Sequence, residues 1–348
     1  MTIEGRPGIG QPVPDYYRPY TDLDLTGYSI VLAYLNQQYL DEARSLLEYV
    51  PLTKDQCLIL VGSDGKKERH AQSKTDVVIV QRPNSENLTP NGFMDWFDKT
   101  HSSTFVGTFD LVLDESPEVK VIGQDGILVS SVYPDKFKGG NRRIYPDRTL
   151  NALFVTGNED VYKEARRQVL EEMTKDGKTA GHIRRELVKQ VKTNREVMKT
   201  GLFRERATFT VDPPIQYYDE DEYKFTTGFK IGFLRTVQRF LDIATVVAIR
   251  QGFMSVDDAA VGLPTSTVER IRFLDEKGLF RASISCEGVI NAYLWFLQQY
   301  HFAQEQYKRT RVPIELPFNS SEFQAYSVEI DEFTARYYLS PKRNFLAT

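Results

Sequence analysis

Cysteine and histidine are scarce in this sequence, which contains two cysteines and four histidines. Cys57 and Cys286 lie far apart, and neither belongs to a CxxC pair or to a cluster with histidines. A disulfide framework or a structural zinc site needs several such residues at short, regular spacings. The sequence therefore predicts neither of them.

Long hydrophobic runs and a large excess of charge are absent as well. The longest apolar runs, such as 243–249, are far too short to cross a bilayer, and residues 1–20 lack the basic and apolar regions of a secretory signal. A formal net charge of -4 gives no reason to expect nucleic acid or an anionic membrane as a partner. We therefore expect a cytoplasmic protein without membrane contacts.

The chain does contain three regions that differ in periodicity. Residues 1–50 combine an arm rich in Gly, Pro and Tyr with a helical repeat that begins at Leu25. Residues 51–157 hold short β-rich runs separated by polar loops, and residues 158–348 are mainly helical in pattern. We expect an α+β fold, with a small mixed β-sheet domain at 51–157 and an α-helical C-terminal domain.

The expected elements follow from these patterns. The first helix should bury one apolar face, formed by Leu32, Leu35, Tyr39, Ala43, Leu46 and Leu47. Strands are expected at 57–62, 76–80 and 108–115, with a hairpin at 118–132. Asn158 is expected to cap a helix at its N-terminus. The C-terminal helices are expected near 159–174, 180–200, 226–251, 265–277 and 286–309.

The segment GSDGKKERHAQSKTDVVIV at 62–80 contains the loop between the first two predicted strands and the second of these strands. The loop has the composition of a phosphate-binding loop. Gly62 and Gly65 let backbone N–H groups approach a phosphate closely, and Ser63 adds a hydroxyl donor. The pattern therefore predicts a nucleotide site in this loop.

Carboxylates on the neighbouring strands could hold a metal ion. Residues at i and i+2 of a strand share one face, and two acidic residues there can bind Mg²⁺. Asp76 occupies the second position, but Lys74 occupies the first. Asp110, in the next predicted strand, is placed by sequence order to supply a further ligand.

The same loop resembles the signature of the DNA-polymerase-beta-type nucleotidyltransferases. It is most similar to the branch that contains the PII uridylyltransferase and the nucleotidyltransferase-like proteins associated with CBS domains. That branch has the pattern G-[GS]-x-G-R-x-E, four residues, then [ST]-D-x-D. The matching positions are Gly62, Ser63, Gly65, Glu68, Ser73 and Asp76, whereas Lys66 replaces the Arg and Lys74 replaces the first Asp.

Two further segments carry the resemblance. TLNALFVTGNEDVYKEAR at 149–166 is similar to the family's second motif at Gly157, but its usual Asp, Arg and Asp are replaced by Asn151, Leu153 and Asn158. The segment from 225 onward is similar to the helical C-terminal region of the CBS-associated proteins.

The resemblance implies transfer of a nucleoside monophosphate from a Mg²⁺-bound nucleoside triphosphate to a hydroxyl of a protein or small molecule. The metal ligands and catalytic residues would be Asp76 and Asp110. The nucleotide-binding residues would be Gly62, Ser63, Gly65, Lys66, Glu68, Ser73 and Lys74, with Glu68 expected to brace the loop.

Lys74 makes a second function an open alternative. An ammonium group repels a cation by about 4 kcal/mol per unit charge pair at 4 Å and an effective dielectric constant near 20. The protein would then be a catalytically degenerate relative that binds a nucleotide or a protein partner and regulates without chemistry. Asp64 is a candidate replacement ligand, although an Asp in a turn more commonly makes local hydrogen bonds.

Two other segments allow different interpretations. The segment 259–280 resembles a helix-turn-helix, with a recognition helix that would begin with Thr265, Ser266, Thr267, Glu269 and Arg270. The acidic residues around it argue against DNA as a partner. The basic residues at 184–199 form either a solvated helix face or an anion-binding wall near the nucleotide.

Overall fold

The structure, a computed structural model, describes residues 23–69, 75–83, 88–104, 118–122, 147–202, 208–209, 230–280, 284–310, 314–315 and 321–338. These residues form a four-stranded sheet surrounded by helices. The α+β class expected from the sequence is therefore confirmed. No helix in these ranges is long and apolar enough to cross a membrane.

The first helix, α1, spans Leu25–Leu47. The Asp24 side chain caps its N-terminus by accepting a hydrogen bond from Gly27 N over 2.7 Å. The residues predicted to form its apolar face are all buried: Leu32, Leu35, Tyr39, Ala43, Leu46 and Leu47. This helix is therefore part of the core, and it contacts the loop between β1 and β2 through Asn36 and Tyr39.

The sheet is mixed. Its strands are β1 (Gln56–Leu60), β2 (Val77–Gln81), β3 (Glu118–Val121) and β4 (Leu153–Gly157), in the order β3-β2-β1-β4. β1 pairs antiparallel with β2 and β4, and β2 pairs parallel with β3. Every residue of β1 and β2 is buried, so the loop between them leaves the sheet at its centre.

Besides α1, the described residues of this half of the chain include the helices α2 (Gly62–Gly65), α3 (Pro90–Thr104) and α4 (Asp147–Leu150). The sequence pattern was wrong about the end of β1, which was expected to reach Gly62 but ends at Leu60. Gly62 has a positive φ that strand backbone does not adopt, and the chain then turns into α2. The predicted strand at 108–115 and most of the hairpin at 118–132 lie outside the described residues.

The C-terminal half begins with α5 (Glu159–Thr174) and α6 (Lys178–Leu202). Asn158 caps α5 as predicted, since its side chain accepts a hydrogen bond from Asp160 N over 2.9 Å. A short π-helical segment, Lys230–Leu234, then leads into α7 (Arg235–Arg250).

The remaining helices are α8 (Val256–Gly262), α9 (Thr267–Glu276), α10 (Cys286–Thr310) and α11 (Ser321–Tyr338). A two-stranded sheet pairs β5 (Thr208–Phe209) with β6 (Ile314–Glu315). The helices expected near 159–174, 180–200, 265–277 and 286–309 are present with small shifts at their ends, and the one expected at 226–251 includes the π-helical segment.

The buried apolar residues of α1, of the sheet and of the C-terminal helices form one continuous core. Aromatic rings fill its C-terminal part: Phe233 stacks on Phe296 with 4.0 Å between ring centroids, and Phe240 meets Phe333 edge-on at 4.7 Å. The helices C-terminal to residue 158 are therefore packed with the sheet domain through a shared core.

Candidate functional site

The first part of the site is the corner where β1 ends and β2 begins. Val61 N–H donates to the carbonyl oxygen of Asp76 over 3.0 Å. Gly62 has a φ of +68°, and a Cβ atom placed on it would lie 2.6 Å from Oδ2 of Asp76. The backbone conformation therefore favours glycine, and a larger residue would also have to displace the Asp76 side chain. The structure thus brings two of the candidate residues together, with the Asp76 carboxylate directly against the Gly62–Ser63 turn.

The absence of a side chain at Gly65 lets α2 pack closely against the segment that precedes β4. A Cβ atom on Gly65 would overlap with the carbonyl oxygen of Asn151 and lie 2.8 Å from that of Leu60. Asn151 is buried, and it occupies the position of an Asp in the nucleotidyltransferase pattern that the sequence resembles. The second motif segment therefore packs directly on the loop, and Gly65 serves this close backbone approach.

Asp64 lies inside the structure and forms an ion pair. Its Oδ1 accepts a hydrogen bond from Arg69 Nη1 over 2.8 Å, and Arg69 Nη1 also lies 3.2 Å from Thr75 Oγ1. The Arg69 guanidinium stacks on the Tyr39 ring, 3.7 Å from its centroid. Burial raises the pKa of the Asp64 carboxyl from 3.8 to about 6, although Arg69 opposes the shift.

Glu68 is buried and its carboxylate is hydrogen-bonded to the C-terminal helices. Oε1 accepts hydrogen bonds from Thr267 Oγ1 at 2.5 Å and Tyr293 Oη at 2.7 Å, and Oε2 accepts one from Gln238 Nε2 at 3.0 Å. These contacts agree with the expectation that Glu68 braces the loop. Its place among the nucleotide-binding candidates stays a prediction, with both carboxylate oxygens hydrogen-bonded to helix side chains.

The other loop candidates are distributed as follows. Ser63 is half-buried and Lys66 is buried. Lys67, which the sequence pattern did not single out, has a φ of 58° and an ion pair with Glu269 at 3.5 Å. The candidates Ser73, Lys74 and Asp110 lie outside the described residues.

The segment with a helix-turn-helix pattern is formed by α8 and α9, but two residues at the start of α9, Thr267 and Arg270, face the protein interior. Thr267 and Arg270 are 3% and 1% exposed, respectively. Arg270 donates to Asp242 Oδ1 at 3.2 Å and to the carbonyl oxygens of Leu150 and Pro264. Neither Thr267 nor Arg270 is accessible to a base edge in this arrangement.

The basic helix α6 uses two of its cations within the protein. Arg184 Nη1 donates to the carbonyl oxygens of Met173 and Lys175, at the end of α5. Arg195 forms an ion pair with Asp331 of α11 at 2.7 Å. Arg184 is buried, which the interpretation of a solvated basic face did not predict. These two residues therefore stabilise helix packing.

Sequence patterns missed the buried polar residues that organise the site, above all Arg69, Gln238, Asp242 and Tyr293. A signal was present for Asp242, since it interrupts the apolar run of α7 and a lone carboxylate in a core helix implies a cationic partner. Asp64 lies in α2 and Arg69 lies five positions later, beyond the end of that helix, a spacing that no regular element favours.

The described residues do not by themselves form a two-metal centre, and the expected ligand Asp110 lies outside them. In the ranges that the structure covers, no group of three or more His, Cys, Asp or Glu residues is placed to hold a metal ion. Asp76 supplies one carboxylate. Asp64, the alternative in the loop, is paired through Oδ1 with Arg69, and the guanidinium charge opposes binding of a cation at that oxygen.

Comparison of the chain with protein-family models and with curated proteins gave no match. The assignment of the site therefore depends on its geometry and on the sequence pattern of the loop.

Proposed function

We propose that the loop between β1 and β2 binds a nucleoside triphosphate and that this nucleotidyltransferase-like protein acts as a nucleotide-dependent regulator without transferase chemistry. Its partner in regulation would be another protein, contacted in a nucleotide-dependent way. The loop, the order of the three similar segments and the α+β fold are the features that suggest this relationship.

The observation that carries the proposal is the contact between Asp76 and Gly62. Gly62 has a positive φ just after a central strand and is followed by Ser63, and turns of this kind can offer backbone N–H and hydroxyl groups to a phosphate. The Asp76 carboxylate lies against this turn, with Oδ2 2.6 Å from the Cβ position of Gly62. On that side of the turn a cation would be needed, because the carboxylate and a phosphate repel each other.

Two charged residues favour binding over catalysis. Lys74 stands two positions before Asp76 in the sequence, where the resembling family has a metal ligand, and a protonated lysine repels a divalent ion. It offers instead a fixed positive charge for phosphate oxygens. Asp64 is a poor replacement for the missing ligand, because its Oδ1 is already paired with Arg69 in a buried ion pair.

Calorimetric titration of ATP, GTP, CTP and UTP, with and without Mg²⁺, tests the proposal. We expect the natural protein to bind at least one of them without Mg²⁺, and Lys74→Asp to lose that binding or to make it Mg²⁺-dependent. Lys54→Asp is the matched control, since it makes the same charge change at an exposed position outside the loop.

Two results would overturn the proposal. Failure of the natural protein to bind any nucleotide would remove the nucleotide site. Mg²⁺-dependent release of pyrophosphate by the natural protein, in the presence of an acceptor, would establish a transferase instead of a regulator.

A further inference from the structure

The Glu68 carboxylate joins the loop to three helices that lie far away in the sequence. Its hydrogen-bond donors are Gln238 on α7, Thr267 on α9 and Tyr293 on α10, which are 170, 199 and 225 positions away. Gln238 Nε2 also lies 2.8 Å from Tyr293 Oη. The three donors therefore form one connected buried network around a single carboxylate.

The backbone beside this carboxylate is held from two sides. His301 Nε2, on α10, lies 3.0 Å from the carbonyl oxygen of Glu68. A carbonyl only accepts, so Nε2 carries a proton, and in the neutral ring Nδ1 accepts from Tyr28 Oη of α1, 3.0 Å away. Asn36 of α1 bonds both the N–H and the carbonyl oxygen of Arg69, at 3.0 and 3.3 Å.

Glu68 is also connected to the Gly62–Ser63 turn through its own backbone. Glu68 N–H donates to the carbonyl oxygen of Ser63 over 2.9 Å. The position of Glu68 therefore fixes the turn that the proposed nucleotide would approach, and the helices fix the position of Glu68. A continuous series of hydrogen bonds through Glu68 thus connects the turn with α7, α9 and α10.

We propose that Glu68 is a positioning residue that couples the Gly62–Ser63 turn to helices α7, α9 and α10, so that a ligand at the turn and the state of these helices influence each other. The part of this proposal that concerns nucleotide rests on the function proposed above. Thermodynamic linkage requires the coupling to be reciprocal: nucleotide binding stabilises the helices, and a change in the helices alters nucleotide affinity.

Hydrogen exchange measured with and without nucleotide tests the coupling in the full-length protein. In the natural protein, nucleotide should slow amide exchange in the turn at 62–69 and also in α9. In Glu68→Gln, which keeps the size of the side chain but loses one acceptor, we expect faster exchange at 62–69 by roughly tenfold or more. Nucleotide should then no longer protect α9.

Glu269→Gln is the matched control, because it makes the same change on α9 at a half-exposed residue whose recorded partner is Lys67. It should leave exchange at 62–69 and nucleotide affinity within about twofold of the natural values. Tyr293→Phe and Thr267→Val each remove one donor and leave the carboxylate in place. These two variants replace Glu68→Gln in the test if that variant does not fold. Each should accelerate amide exchange at 62–69, but by less than Glu68→Gln.

The exchange measurement without nucleotide separates this proposal from the proposed function. If the natural protein binds no nucleotide but Glu68→Gln still accelerates exchange at 62–69 selectively, the nucleotide assignment fails and the positioning role stands. The positioning role is refuted if Glu68→Gln lowers protection equally across the described helices and strands. Loss of protection confined to α9 and α10, with the turn unchanged, would refute it too.

Discussion

Arg69 Nη1 donates to Asp64 Oδ1 over 2.8 Å, and the two side chains are only 2% and 1% exposed. The pair is enclosed by Tyr39 and Thr75, so the loop contains a buried salt bridge directly beside the Gly62 corner. A buried pair of this kind is costly to desolvate and makes the local structure sensitive to protonation.

The raised pKa of the Asp64 carboxyl should make the free energy of unfolding depend on pH. Its pKa rises from 3.8 to about 6 on folding, mainly through burial. The folded state therefore binds the proton more tightly, and the stability that this contributes is present below about pH 4 and lost as the pH rises to about 6. Relative to Asp64→Asn, the natural protein should lose on the order of 2 to 3 kcal/mol across that window.

Urea unfolding of both proteins at closely spaced pH values measures this difference. The Asn variant removes the titration of Asp64 and serves as the reference, since carboxyl groups that do not interact with Asp64 titrate equally in both proteins. A difference between the two proteins that stays constant from pH 4 to pH 6.5 would contradict the prediction.

Gly65→Ala should be strongly destabilising. The new Cβ atom would overlap with the Asn151 carbonyl oxygen and lie 2.8 Å from that of Leu60, and backbone atoms cannot move aside as a flexible side chain can. We expect a loss of at least about 2 kcal/mol in the free energy of unfolding. Gly262→Ala is the control, because nothing lies within 4 Å of its Cβ position. It should be neutral or slightly stabilising by denaturant unfolding, and similar losses at both sites would show the reasoning to be wrong.

Lys67→Gly should stabilise the fold. Lys67 has a φ of 58°, a left-handed conformation that costs an L-residue about 1 kcal/mol and that glycine adopts freely. We expect a gain of roughly 0.5 kcal/mol after loss of the exposed pair with Glu269. Lys67→Ala keeps the Cβ atom and should bring no gain, so thermal unfolding of the two variants separates the backbone effect from the charge. Equal stability of the Gly and Ala variants would refute backbone strain as the cause.

Arg270→Met should destabilise the protein by about 3 kcal/mol or more, because Asp242 is fully buried and would lose one of its cationic partners. Arg272→Met, on the exposed side of the same helix, removes only a surface pair with Glu287 and should cost less than about 1 kcal/mol. Denaturant unfolding compares the two variants. A comparable cost for both would mean that the buried network contributes little.

The amino-acid sequence by itself determined the features that depend on neighbouring residues. Helix α5 was expected at 159–174 and spans Glu159–Thr174, because an apolar repeat of about 3.6 residues and the Asn158 cap both act within a few positions. The apolar face of α1 and the pair of strands around the loop follow from equally local patterns. The proximity of Gly62 and Asp76 also follows, since a loop between adjacent antiparallel strands returns to its starting point.

Only the tertiary structure decided which polar residues are buried and with which partners. Glu68 finds Tyr293 across 225 positions, and Arg270 finds Asp242 across 28. Such pairs have no spacing rule, because they depend on how complete helices pack. The pattern of α9 is that of a surface helix with a polar start, yet packing against the loop buries Thr267 and Arg270. A buried charge is stable only where partners from several elements meet, and that meeting is a property of the whole fold.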